Sequence, residues 1–143
     1  EFSFQYFKGE FSNNSTLAGH VTVGDYVTLA GMVAVHQFCN IGRHAFIAGG
    51  SLVRKDIPPF VKAAREPLSY VGINSVGLRR RGFSSEKIRE IQNIYRILYQ
   101  KKFNNTQATN IIEAEVEATS DRDEILVFIK DSQRGIMKGY IQN

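Results

Sequence analysis

From Phe11 to about Pro58 an apolar residue returns at every sixth position: Phe11, Leu17, Val23, Leu29, Val35, Ile41, Ile47 and Val53. Four places after each stands a second, mostly small or β-branched residue: Ser15, Val21, Val27, Val33, Cys39, Ala45, Ser51 and Ile57. The two columns lie two residues apart, so on a strand both face the same side. The residue between them faces the other way and is usually polar, as Thr16, Thr22, Thr28 and Asn40 are. The remaining places read as corners, among them Ala18-Gly19-His20, Gly24-Asp25-Tyr26, Ala30-Gly31-Met32 and Ala48-Gly49-Gly50. Glycine is expected there to supply positive φ. Short strand, tight corner and short strand, kept in register through eight hexads, predict a β-solenoid: a parallel β-helix of hexapeptide repeats. Three hexads complete one triangular coil, so residues 18 apart stack over each other.

The flanks break this rhythm. Residues 1–10 put Gln5 in the apolar column and read as an atypical N-terminal segment or cap. The coils are assigned to 11–65, with Pro58-Pro59 removing two amide donors and expected to end the pairing. An irregular crossover follows, with Pro67 and glycines 72, 77 and 82, and 66–83 forms a segment of its own. From Ser84 to Asn143 the pattern is helical. Ser84 is a credible N-cap with Glu86 in the first turn, and Ile88, Ile91, Tyr95 and Leu98 recur on one face. Further helices are predicted over 106–118 and 121–134, the last opened by Asp121 and closed by Gly135 in a left-handed cap. A coil stack this short leaves flat faces exposed, and packing them around a closed axis predicts a homotrimer.

Charge is uneven. Residues 54–102 carry twelve basic against four acidic side chains, within a chain whose formal net charge is +4. Such a band attracts phosphate-bearing or acidic partners. Nucleic acid is disfavoured, because Arg79-Arg80-Arg81 lacks an aromatic stacking platform. No apolar run approaches the roughly 20 residues of a transmembrane span, and the N-terminus has no secretory pattern. The lone Cys39 occupies an inward column, so a buried thiol in a reducing, cytoplasmic setting is expected.

His20, His36 and His44 all fall in corners, and no pair has the spacing of a metal site, so neither a metal nor another cofactor is predicted. Beyond these, four stretches carry a specific likeness: Leu17-Ala-Gly-His-Val21, Gly31-Met-Val-Ala-Val-His-Gln-Phe-Cys39, Asp56-Ile-Pro-Pro-Phe60 and Gly72-Ile-Asn-Ser-Val-Gly-Leu-Arg-Arg-Arg-Gly-Phe83. In order and spacing the chain closely resembles, over 11–143, the C-terminal half of the acyl-carrier-protein-dependent UDP-N-acetylglucosamine O-acyltransferases of lipid A biosynthesis.

That resemblance implies a left-handed β-helix, a C-terminal helical domain and a trimer. It implies transfer of a 3-hydroxyacyl chain from acyl carrier protein to the glucosamine 3-hydroxyl of UDP-N-acetylglucosamine, the first step of lipid A biosynthesis. Carried over by position, Gly19 offers its backbone N–H to the thioester oxyanion, and His20 contacts sugar or acyl group. His36 and Gln37 line the nucleotide-sugar and pantetheine cleft. Asn74, Arg80 and Arg81, in the crossover loop, hold the nucleotide and its phosphates. Gly49 helps to measure acyl length. The basic band from Arg54 to Lys102 faces the acidic carrier protein.

Two positions depart from the family pattern. The family's general-base histidine stands one coil before the oxyanion glycine, in a His-Asp-Cys segment; here that place is Glu1, followed by Phe2-Ser3-Phe4. An acidic residue common two places after the asparagine is Val76. The chain alone is therefore expected to be a poor catalyst. Another hexapeptide acyltransferase, or a trimeric scaffold that binds without chemistry, are the alternatives.

Overall fold

The computed structural model describes residues 10–11, 15–100 and 102–139. The readings made on residues 1–9 lie outside the described residues. Eight two-residue strands follow the hexads in step: β1 (Glu10–Phe11), β2 (Thr16–Leu17), β3 (Thr22–Val23), β4 (Thr28–Leu29), β5 (Ala34–Val35), β6 (Asn40–Ile41), β7 (Phe46–Ile47) and β8 (Leu52–Val53). They fall in rotation into three sheets, β1-β4-β7, β2-β5-β8 and β3-β6, and pair in parallel. The register is 18 residues, as Thr16↔Ala34, Thr22↔Asn40 and Thr28↔Phe46 show. Each circuit is held to the next by backbone bonds such as Thr16 N–H to Val33 O (2.8 Å) and Gly24 N–H to Ile41 O (2.8 Å).

The inward columns make the core. Val21, Val23, Val27, Leu29, Val33, Val35, Cys39, Ile41, Ala45, Ile47, Val53 and Ile57 are buried. Each larger aliphatic among them contributes roughly 1.5–3 kcal/mol on leaving water.

The corners work differently from the sequence expectation. Positive φ falls on the third residue past each aliphatic from Leu17 to Ile47: His20, Tyr26, Met32, Phe38, His44 and Gly50, with values from 59° to 73°. Of the corner glycines quoted above, Gly50 is the one that takes it. Gly24 and Gly42 are needed instead for close approach. A Cβ would lie 2.7 Å from Arg43 N at Gly24, and 2.4 Å from Pro59 N at Gly42. A left-handed residue with a side chain costs roughly 1–2 kcal/mol. Ring stacking between coils offsets it: His20 on Phe38 at 5.0 Å, Tyr26 on His44 at 4.9 Å, and His44 on Phe60 at 5.7 Å.

Pro58-Pro59 does not end the pairing. Gly42 N–H donates to Ile57 O on one side of the prolines, and Phe60 N–H to Arg43 O on the other. Beyond them β9 (Val61–Ala64) stacks in parallel on β7 as Phe46↔Lys62, a step of 16 rather than 18. The crossover is also more regular than its glycines and proline suggest. β10 (Ser69–Ile73) pairs antiparallel with β9, and α1 (Ser75–Arg80) follows, anchored by buried Leu78.

Three longer helices complete the chain. In α2 (Ser85–Gln100) the Ser84 hydroxyl accepts from Lys87 N–H, confirming the cap. Ile88, Ile91, Ile94, Tyr95, Ile97 and Leu98 are buried, and the Tyr95 hydroxyl donates to Pro59 O at 2.6 Å. α3 (Asn105–Glu115) opens with a capping box between Asn104 and Gln107. α4 (Ser120–Asp131) is capped by Thr119 rather than opened by Asp121, and it ends at Ser132 before Gly135. Gly135 has φ of 86°, but it lies in a strap that returns to the coils, where its carbonyl accepts from Asp56 N–H.

Replacing Gly42 by Ala drives a Cβ to within 2.4 Å of Pro59 N, so the coil must move away from the Pro59 backbone. We expect a loss of about 1–3 kcal/mol or more in urea unfolding, with Gly50→Ala, which has open space around it, costing less.

Candidate functional site

Gly19-His20 and His36-Gln37-Phe38 occupy one edge of the three-sided stack, where the chain passes from β2 to β3 and, one coil on, from β5 to β6. Phe38 N–H donates to Gly19 O (3.3 Å), and the His20 ring lies flat on Phe38 with an interplanar angle of 7°. His36 is fixed through its backbone, donating to Val53 O and accepting from Cys39 N–H. The side chains of His20, His36 and Gln37 are exposed. The structure thus brings these four predicted residues together. A cavity of about 620 Å³ beside them is lined by His20, Phe38, Asn40, Asp56, Gln133 and Arg134, with Asp131 at its side.

The wall opposite the corner comes from the C-terminal strap, which sequence reasoning missed. Arg134 donates through Nη1 to the Gln37 carbonyl. Burial pushes the Cys39 thiol up, and the Arg134 charge beside it pulls it part of the way back. The signal for this contact is non-local: 97 residues separate its partners.

Gly49 lies on a second edge, between β7 and β8, directly over Gly31; a Cβ would come within 3.2 Å of Gly31 O. The third edge, between β6 and β7, receives the nucleotide-loop candidates. Asn74 caps α1, accepting from Gly77 N–H (3.2 Å), while its amide donates to His44 O (2.9 Å). Its side chain therefore positions α1, and a Cβ at residue 77 would strike it at 2.4 Å. Arg81 lies over the Tyr26 ring at 4.3 Å, and Arg80 is exposed. Within one chain the eight predicted residues therefore sit on three separate edges.

His44, in a corner like His20 and His36, differs from them in its surroundings. It is buried, stacked between Tyr26 and Phe60 and met edge-on by Phe83. Burial lowers its pKa to about 4, and the Arg43 and Arg81 charges add to the effect. The aromatic spacing Tyr26–His44, one coil apart, is the signal that could have shown it. Among the described residues no three His, Cys, Asp or Glu side chains converge as a metal site requires, and no helix is long and apolar enough to cross a membrane.

Parallel hexapeptide coils followed by a helical domain are shared with solved UDP-N-acetylglucosamine acyltransferases. The one from Bacteroides fragilis superposes with a TM-score of 0.83 at 42% identity, over 90% of this chain and 52% of its own. That from Moraxella catarrhalis gives 0.87 at 30% identity, over 92% and 51%. A family model described as UDP N-acetylglucosamine O-acyltransferase, domain 2, matches residues 56–137. The chain belongs to this family. Curated relatives named acyl-(acyl-carrier-protein)–UDP-N-acetylglucosamine O-acyltransferase include those of Stenotrophomonas maltophilia, 43% identical over 129 residues, and Herminiimonas arsenicoxydans, 47% over 131. These alignments take in 90% and 89% of the chain, which spans about half the length of the curated relatives it matches.

The His44 environment predicts a pH dependence. Below about pH 6.5 the unfolded imidazole takes a proton that the folded one refuses until about 4, so stability present above 6.5 is lost as pH falls between those values. The loss is about 3 kcal/mol, and His44→Phe should flatten urea-midpoint profiles over that range.

Proposed function

We propose that the chain is the C-terminal part of an acyltransferase moving a 3-hydroxyacyl group from acyl carrier protein to the 3-hydroxyl of UDP-N-acetylglucosamine. The family match over 56–137 carries this reading. The coils form a left-handed β-helix, and three copies pack about a closed axis. The separation of the predicted residues onto three edges supports such packing: an edge of one copy set against an edge of the next joins groups that a single chain keeps apart.

In that setting Gly19 N–H meets the charge developing on the thioester oxygen, a dipole fixed before reaction and so needing no reorganisation. His20 holds sugar or acyl group beside it. His36 and Gln37 line the cleft for sugar and pantetheine. Gly49, without a side chain, leaves room for the acyl tail and limits its length. Arg80 and Arg81 grip the diphosphate from the C-terminal end of α1 and the residue after it, with α1 held in place by Asn74. The exposed bases of 54–102 meet the acidic carrier protein. The free, buried Cys39 suits a reducing cytoplasm.

Attack by a hydroxyl needs a proton acceptor, an effect typically worth about 10²–10⁴-fold. With Glu1 at the family's general-base position, the 143-residue chain is expected to turn over at least about 100-fold more slowly than a full-length relative in a carrier-protein assay. This same departure favours the second reading, a trimeric scaffold that binds without chemistry. Calorimetric titration with UDP-N-acetylglucosamine tests the site itself. Binding that weakens roughly tenfold in Arg81→Ala supports nucleotide capture, since a charge-assisted bond contributes about 1.5–3 kcal/mol. Absence of binding to a chain shown to be trimeric by sedimentation would remove it.

A further inference from the structure

The strap of residues 132–137 is held to the coils by one buried carboxylate. Asp56 accepts from Asn40 N–H (2.8 Å) with one oxygen and from the Ser132 hydroxyl (2.6 Å) with the other. Its own N–H donates to Gly135 O, and its carbonyl accepts from Met137 N–H. Lys55 Nζ adds a bond to Arg134 O at 2.9 Å. Four of these bonds reach the segment of six residues directly, and Arg134 is the side chain this clasp sends to the Gln37 corner.

Arg134 is not there merely to satisfy the coils. Nη1 holds the Gln37 carbonyl and the guanidinium lies against the Cys39 thiol, yet Nε is buried without a hydrogen bond of its own, unlike every other buried side-chain N or O among the described residues. An orphaned buried donor carries a desolvation penalty, and native structures keep few of them. This one belongs to a residue lining the 620 Å³ cavity beside Gly19-His20.

We propose that Arg134 is a positioning residue of the acyl-transfer corner: Nη1 fixes Gln37 and through it the Phe38–Gly19 and Phe38–His20 contacts, and Nε takes an acceptor oxygen of the thioester's amide-bearing arm. The inference rests on the acyltransferase reading of that corner. The carboxylates of Asp56 and Asp131 line the same cavity, so an uncharged acceptor such as an amide carbonyl suits the site better than an anion.

The test uses the 143-residue chain, a 3-hydroxyacyl-pantetheine thioester as probe, and hydrogen exchange at the Phe38 amide. In Arg134→Ala the probe should bind roughly 10–100-fold more weakly. Phe38 should exchange about fivefold faster, while affinity for UDP, whose diphosphate Arg80 and Arg81 hold at another edge, stays within about twofold. Arg134→Lys keeps the charge but lacks the fork, so probe affinity should fall with little change at Phe38. Unaltered probe affinity and Phe38 exchange in Arg134→Ala would overturn the proposal. If the unsubstituted chain ignores the probe while Arg134→Ala still loosens Phe38, the acyl-transfer reading falls and the tie to Gln37 stands.

Discussion

The amide-to-carbonyl ladder between coils, repeating every 18 residues, is the constraint on which everything else depends. It is a backbone interaction, so it fixes spacing without regard to side chains. The side chains decide only which face turns inward. Once Thr16 is paired with Ala34 and Thr22 with Asn40, the aliphatic columns close into a dry interior and the corners fall into stacks. A corner residue then has one neighbour above and one below, whatever its chemistry. That is why His20 meets Phe38 and Tyr26 meets His44.

The helical part shares one continuous apolar core with this column and is tied to it by polar bonds at a few defined points. Tyr95 reaches Pro59, Tyr99 reaches Met137, Arg43 forks onto Glu124 at 3.2 and 2.8 Å, and Asp56 holds the strap. The Arg43–Glu124 pair is partly exposed, so screening limits its worth. The tyrosine hydroxyls and the Asp56 carboxylate are better shielded and set the geometry. Tyr70, Tyr95 and Tyr99 stack in a ladder of their own, and burial pushes the Tyr70 hydroxyl up to about 12.

Much of the fold was legible because hexads and helical stripes are local patterns. The strand positions, the 18-residue stacking, the Ser84 cap and the existence of three long helices all follow from spacing. What escaped has physical reasons. The role of the corner glycines depends on how near the next coil comes, as Gly42 against Pro59 shows, and a one-dimensional reading contains no such distance. Pairing across Pro58-Pro59 survives because neighbouring amides and carbonyls carry it. The β9–β10 hairpin hid behind Pro67 and Gly72. Of the candidate site, the Gly19-His20 and His36-Gln37 cluster was readable from the same period, whereas the burial of His44 and the arrival of Arg134 depend on contacts made by Phe83 and the strap. Asn74 was visible as a residue but not as the cap that orients α1.

The fixed circuit also dictates how such a chain can change length. Removing one residue between Leu17 and Val53 would turn every later aliphatic toward water and every later threonine toward the core. Growth or shrinkage without that penalty comes in whole turns of the column, or as loops budding from an edge where a corner can open. The step of 16 at β9 marks where this arithmetic is relaxed, because no further coil has to be laid down in register beneath it. Chains built on this plan should therefore differ in height by discrete layers, while the distance from one edge cluster to its neighbour along the column stays quantised.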